Sequence, residues 1–269
     1  MRKIFLFLLP LIVAMPLSGQ VSVFQSTNTV TATGTIGAGE WDDASAAINI
    51  ATLGSGFTAP TDSSDLSGTV RLKWDSINLY ALFQITDDIR GENSADGIST
   101  NLNSFNDDSV ELNFEGTFPG SAVPNHTLDG LDRFQYRFNP NSNALLQEIE
   151  FSPIDTPSTG IVWGTQDTVG NSYVVEVSNP WSTLNVTTPT IGNSFAFMGV
   201  INDDDGSERE TQLFWNTSNS NAWDDATEWS EIQLAAAIPE PSTYAMIFGL
   251  VGFVASVIVV KRRKAAATE

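Results

Sequence analysis

Aspartates are grouped along the chain as Asp87-Asp88, Asp107-Asp108 and Asp203-Asp204-Asp205. Clustered carboxylates at strand ends suit Ca²⁺, a hard ion that takes about six to eight oxygen ligands. None of the clusters has EF-hand spacing. A structural Ca²⁺ is therefore the expected cofactor, with Asp87, Asp88, Asp203, Asp204 and Asp205 as candidate ligands. The alternative is a set of solvated acidic turns. Aromatic residues in polar loops suggest a second chemistry. Trp223 lies in Asn219-Ser220-Asn221-Ala222-Trp223-Asp224-Asp225, and Phe105 in Asn103-Ser104-Phe105-Asn106-Asp107-Asp108. A flat ring in such a loop suits stacking on the C–H face of a sugar, with polar side chains fixing orientation around it. Glu111, Gln135 and Arg137 fall on the polar faces of alternating segments and Asn221 beside Trp223, so these four are the candidate polar contacts. Opposite charges on Glu111 and Arg137 would order the guanidinium for bidentate contact with hydroxyls. A plain surface salt bridge, worth little, is the competing reading.

Catalytic signatures are missing. The chain has no cysteine and one histidine, His126, in a polar segment. No nucleophile elbow, phosphate loop or dinucleotide fingerprint occurs. Paired carboxylates are abundant, but a glycosidase needs two at a defined separation with one raised pKa, which sequence does not display. The protein is read as not an enzyme.

The elements that would position these residues are short strands. Apolar residues alternate in Thr69–Asp75, then in Leu79, Ala81, Phe83 and Ile85 across a short turn at Asn78, which predicts a hairpin. Val110, Leu112 and Phe114 alternate with Glu111, Asn113 and Glu115. Phe134, Tyr136 and Phe138 alternate with Arg133, Gln135 and Arg137. Tyr173–Val177 and Ser194–Ile201 read as further strands. Only Glu40–Ile50 and Pro180–Leu184 look helical. Trp74, Trp163, Trp181 and Trp215 sit in or beside apolar patterns and are expected in the core, with Trp41 packing too. Many short strands separated by turn residues predict an all-β protein, an antiparallel β-sandwich forming one domain over residues 25–235.

The chain of 269 residues carries 32 acidic and 12 basic side chains, a net of -20. Six of the basic residues lie at the ends, so residues 21–238 hold 30 acids against 6 bases, a net of -24. That surface repels phosphate backbones, and no nucleic-acid partner is expected. It suits neutral ligands and divalent cations. Met1-Arg2-Lys3 precedes an uncharged stretch from Ile4 to Val13, the pattern of a secretory signal peptide over residues 1–20. At the other end a linker, 236–243, contains Pro239-Glu240-Pro241. An uncharged run, 244–260, follows and is long enough for a transmembrane helix, and a basic tail, 261–269, should stay cytoplasmic.

Pro239, Glu240 and Pro241, the apolar run and the basic tail together resemble the PEP-CTERM sorting signal of Gram-negative bacteria. The resemblance implies recognition by an exosortase-type transpeptidase at the membrane and cleavage near the triplet. The protein would then pass through an inner-membrane intermediate to the cell surface or extracellular matrix.

Within the body, an ordered set of motifs resembles carbohydrate-binding module family 9. It runs through Leu72-Lys73-Trp74-Asp75, Thr86-Asp87-Asp88, Asp107-Asp108-Ser109-Val110-Glu111-Leu112, Phe134-Gln135-Tyr136-Arg137-Phe138, Pro180-Trp181, Gly199-Val200-Ile201-Asn202-Asp203 and Ala222-Trp223-Asp224. The resemblance implies a non-catalytic β-sandwich with structural calcium that clamps a poly- or oligosaccharide end between two rings, here Phe105 and Trp223, with Glu111 and Arg137 as polar contacts. Departures are visible. Phe105 stands where the family usually has Trp, Val200 where it has a glutamine, and Ser220 where it has an asparagine. These favour a rival reading, a structural surface or exopolysaccharide-matrix protein with a decayed sugar site. Related sandwiches of the DOMON type imply a third, haem held by His126 and Met198.

Overall fold

A computed structural model describes residues 20–91, 104–116, 133–140, 144–147, 160–168, 170–206 and 209–238. Residues 1–19 of the expected signal peptide, His126, the Pro239-Glu240-Pro241 triplet, the 244–260 run and the basic tail lie outside them. Among the described residues no helix is long and apolar enough to cross a membrane. The chain divides into two compact units, residues 1–235 and 236–269.

The described residues of the first unit form thirteen strands: β1 (Val21–Gln25), β2 (Ile48–Ile50), β3 (Thr52–Leu53), β4 (Leu66–Trp74), β5 (Asn78–Asp87), β6 (Ser109–Glu115), β7 (Arg133–Asn139), β8 (Ala144–Gln147), β9 (Val162–Asp167), β10 (Tyr173–Pro180), β11 (Ser194–Asp203), β12 (Thr211–Phe214) and β13 (Ser230–Ala235). One layer runs β8-β7-β6-β11, with the far edge of β11 shared between β13 and β12. The other runs β4-β5-β10-β9, with β2 on β4. Two strand connections cross between layers. β1 pairs with β13 over Val21–Phe24 and then with β4 at Phe24–Gln25. β2 pairs with β4, while β3, one residue later, pairs with β12. β1 is parallel to both partners, which corrects the expectation of a wholly antiparallel sandwich.

Alternation explains the layers. Val70 and Leu72 on β4, Ala81, Phe83 and Ile85 on β5, Val110, Leu112 and Phe114 on β6, and Phe195, Phe197 and Ile201 on β11 are buried in one core cluster. Contact across the core is close at two glycines. A Cβ on Gly68 would collide with Ile201 and come within 2.6 Å of Ile85. One on Gly199 would meet Ile50 at 3.0 Å. The 75–77 turn joins β4 and β5 as the predicted hairpin, with Trp74 paired to Leu79. Trp41, Trp74 and Trp181 are buried, while Trp163 and Trp215 pack half-buried against the core.

The two helical expectations fail. Residues 38–43 form turns, and the end of the predicted helix is strand β2. The carboxylates there serve other backbone groups. Asp43 Oδ2 accepts from Thr27 N at 2.6 Å and Asn28 N at 3.1 Å, and Glu40 accepts from Thr31 N and Gly37 N. Trp41 turns inward, donating from Nε1 to Glu176 at 2.8 Å, and the buried Lys73 ammonium pairs with Asp43 at 3.0 Å. These long-range bonds outweigh a short helix that would satisfy few of its own donors. Pro180–Leu184 is a hydrogen-bonded turn, with Thr183 N and Leu184 N donating to Pro180 O.

Candidate functional site

The polar face of the β7-β6-β11-β12 layer carries the first site. Register places Glu111 on β6 opposite Arg137 on β7, and Asn113 opposite Gln135. On the other side of β6, Asn202 of β11 stands opposite Ser109, and Gln212 of β12 opposite Asn202. The side chains join into a network. Glu111 Oε1 accepts from Arg137 Nε at 2.9 Å and from Asn202 Nδ2 at 2.9 Å. Its Oε2 accepts from Gln135 Nε2 at 2.8 Å. Asn202 Oδ1 in turn accepts from Arg209 Nη1 and Gln212 Nε2, both at 2.9 Å. Glu111 is 1 % exposed and Arg137 2 %, so the solvent-exposed surface pair is excluded. Burial alone would raise the Glu111 pKa. The Arg137 charge, the Asn202 and Gln135 donors and the Arg209 charge outweigh it and hold the carboxyl below its ordinary range.

Loops close the site from both sides. A 3₁₀ turn at Ser104–Asn106, just before β6, carries Phe105. A second at Ala222–Asp224, after β12, carries Trp223. The latter turn is anchored from below: Ala222, Ala226 and Trp229 are buried against Met198, Val200 and Phe214, and Trp229 Nε1 donates to Ala222 O at 2.6 Å. Phe105, Glu111, Gln135, Arg137 and Trp223 thus line one pocket of about 210 Å³, together with Arg209 and Gln212. Asn221 is the exception. It is exposed, outside the pocket lining, and its amide N–H binds Asn219 Oδ1 at 3.0 Å within the loop.

Phe105 has unexpected neighbours. The guanidinium carbons of Arg137 and Arg209 lie 5.3 and 4.8 Å from its ring centre. Arg209 also stands 4.7 Å from the Phe57 ring. Sequence reasoning missed Arg209 and Gln212 because β12 has only four residues, all buried, and shows no alternation. The family resemblance implies a lost polar contact at Val200. It is buried under the Ala222 turn, and the amide of Gln212 on the next strand faces the pocket instead. Met198 packs in the same cluster as Val200.

The acidic clusters converge at the neighbouring end of the same strands. Ligand atoms of Asp87, Asp108 and Asp203 lie within 4.8 Å of one another, as do those of Asp87, Asp88 and Asp205, and of Asp65, Asp203 and Asp205. Asp204 is in none of these groups; its Oδ1 accepts from Gly206 N at 2.9 Å. Asp108 and Asp65 are additions to the candidate set. Asp108 is oriented by Asp204 N at 2.9 Å and Gly91 N at 2.8 Å. Gly91 has no room for a side chain there, since a Cβ would collide with the Asp204 carbonyl. Burial first, and then mutual repulsion, pushes Asp87 up to about 7, and Asp108 and Asp203 up to about 9. Asp87 Oδ2 and Asp203 Oδ1 are buried without a hydrogen-bond partner. Orphaned carboxylate oxygens beside other carboxylates fit a hard divalent cation such as Ca²⁺, which would supply the missing countercharge.

Residues 33–237 match the family described as carbohydrate family 9 binding domain-like. A curated relative, endo-1,4-β-xylanase A of Thermoanaerobacterium saccharolyticum, is 27% identical over 173 residues, 64% of this chain. The chain spans only 13% of the length of that protein. Similar solved structures include a carbohydrate binding module family 9 from Caldicellulosiruptor kristjanssonii in complex with cellotriose, with TM-score 0.61 and 18% identity. That match covers 82% of this chain and 98% of the other. The same module in complex with glucose matches with TM-score 0.60 and 20% identity, covering 81% and 98%. At these identities the likeness speaks for the fold.

Proposed function

The chain belongs to the carbohydrate family 9 binding domain-like family, and from that premise we propose that it is a non-catalytic glycan-binding protein whose ligand occupies the pocket between Phe105 and Trp223. The observation that carries this reading is convergence. Five residues singled out by type and setting, from segments up to 118 positions apart in sequence, line one pocket of about 210 Å³. The volume suits a terminal sugar unit rather than a chain laid along a groove. Trp223 offers a ring face, and the Gln135, Gln212 and guanidinium groups offer directional contacts around it. The cellotriose and glucose complexes of modules with this fold support a saccharide ligand.

Calcium belongs to the proposal as a structural ion held by Asp87, Asp108 and Asp203, with Asp65, Asp88 and Asp205 at the rim. It would tie the ends of β5, β6 and β11 together beside the pocket. Export, sorting by an exosortase-type transpeptidase through the Pro239-Glu240-Pro241 signal, transient anchoring by 244–260 and residence at the cell surface complete the reading. They rest on the sequence pattern of the two ends.

The test is a titration of the purified chain with oligosaccharides bearing free or reduced ends, followed by calorimetry and tryptophan fluorescence in calcium. Saturable binding is expected, weakened more than about tenfold by Trp223→Ala, since ring stacking is a main source of contact area. Unchanged affinity in a folded Trp223→Ala protein rejects this pocket. A structural role with a decayed pocket is the second reading, favoured by the two guanidiniums that already border the Phe105 ring. It predicts no saccharide binding and intact calcium-dependent stability.

A further inference from the structure

Charge is unevenly spread over this chain. Lys and Arg number 12 against 32 Asp and Glu, yet two guanidiniums, of Arg137 and Arg209, line a single small pocket with one carboxylate, that of Glu111. Among the described lining residues the balance is one positive charge in excess. Glu111 has little acceptor capacity left for a ligand. Its two oxygens already accept from Arg137 Nε, Asn202 Nδ2 and Gln135 Nε2 at 2.8 to 2.9 Å.

Arg209 is held in place before any ligand arrives. Its Nη1 donates to Asn202 Oδ1 at 2.9 Å. Its guanidinium carbon stands 4.7 Å from the centre of the Phe57 ring and 4.8 Å from that of Phe105, which also has Arg137 at 5.3 Å. Two cations thus border one aromatic ring. The Phe57 segment is itself fixed to β12 and the residue before it, through Gly54 N to Gln212 O at 3.0 Å and Thr58 N to Glu210 O at 2.9 Å. Fixing a long side chain in advance removes an ordering cost from binding. A neutral sugar hydroxyl donates as readily as it accepts. A carboxylate only accepts, and its planar pair of oxygens matches the fork of a guanidinium.

We propose that the pocket selects acidic sugars, uronate residues whose ring carboxylate is received by Arg209 and Arg137, with Arg209 as the specificity-determining residue. The proposal rests on the pocket being the glycan site. The acidic body opposes any anion at long range. That field fades beyond about 8 Å at physiological ionic strength, so the local charges decide affinity.

The experiment is calorimetry on the full chain in calcium at about 0.15 M salt, comparing glucuronate and galacturonate with glucose and galactose. The uronates are expected to bind roughly tenfold more tightly or better, as charge-assisted hydrogen bonds are about twice as strong as neutral ones. Arg209→Gln keeps an amide to donate to Asn202 but removes the charge; it should bring the acid-to-neutral affinity ratio towards one. Arg209→Lys keeps the charge without the fork and should retain part of the ratio. Thermal unfolding of each variant shows whether the fold is intact. Equal wild-type affinities for acidic and neutral sugars, or an undiminished ratio in Arg209→Gln, overturn the acidic-sugar assignment and leave glycan binding standing. No binding by these sugars or by longer oligosaccharides removes the glycan reading and this proposal with it.

Discussion

Glu111 is the residue on which the pocket depends. Its carboxylate is fully buried and receives Arg137, Asn202 and Gln135. Removing one partner of such a pair leaves the other charge desolvated and uncompensated. Glu111→Ala should therefore destabilise the protein by about 3–5 kcal/mol, measured by denaturant unfolding, and should abolish saccharide binding. A loss below about 1 kcal/mol would mean the pair is solvated after all. The pairing of Glu111 with Arg137 was legible in the sequence, because alternation on both strands set the two on one face. The burial of that face was not. Alternation reports which residues share a side of a sheet, and the covering comes from outside the strands, from Phe105 on the turn before β6 and from Trp223, which is remote in sequence. Arg209 was illegible for a related reason: it precedes a strand too short to show a period.

At the scale of elements, the turn that presents Trp223 is built from outside the pocket. Ala222 and Trp229 seat it on Met198, Val200 and Phe214, and the indole N–H of Trp229 satisfies the Ala222 carbonyl. Trp229→Phe keeps most of the apolar volume and deletes that donor, leaving the Ala222 carbonyl with the Asp225 N–H at 3.1 Å alone. We expect a stability loss of about 1–2 kcal/mol by thermal unfolding. A several-fold fall in saccharide affinity should accompany it, although Trp229 does not line the pocket. Unaltered affinity would show that the turn holds its position without the bond. The strand hairpin β4–β5 and the strands β6, β7, β10 and β11 were legible because each runs at least seven residues and most alternate clearly. β13 carries the same signal in Ile232 and Leu234 against Glu231 and Gln233, though over only six residues. The segment over 38–43 folds as turns instead of helix because Asp43 and Trp41 bond to partners far away in sequence, which nothing local announces.

For the molecule as a whole, the acidic cluster sets how stability answers pH and calcium. Without an ion, the folded protein holds Asp87 up to about 7 and Asp108 and Asp203 up to about 9, through burial and mutual repulsion. An unfolded aspartate titrates near 3.9. The folded state therefore binds more protons between those limits, and this contribution to stability is present at low pH and lost as pH rises from about 4 towards 9. Glu111 and Asp43 work the other way. Burial opposes the shift in both. The Arg137 charge on Glu111, and the Thr27 and Lys73 bonds on Asp43, still hold each below its ordinary value, so their contribution fades only as pH falls below about 4. In chelator the unfolding midpoint should accordingly decline between pH 5 and pH 8. In calcium it should stay level, because the cation replaces the protons as countercharge, and the gap at pH 8 should exceed about 5 °C. Calcium uptake should also release protons, seen as a buffer-dependent heat in calorimetry. Asp108→Asn should narrow the gap at pH 8 by weakening the ion and relieving repulsion together. Midpoints that coincide in calcium and chelator at pH 8, with no decline from pH 5, would mean that these carboxylates are neither charged nor bridged in the folded protein.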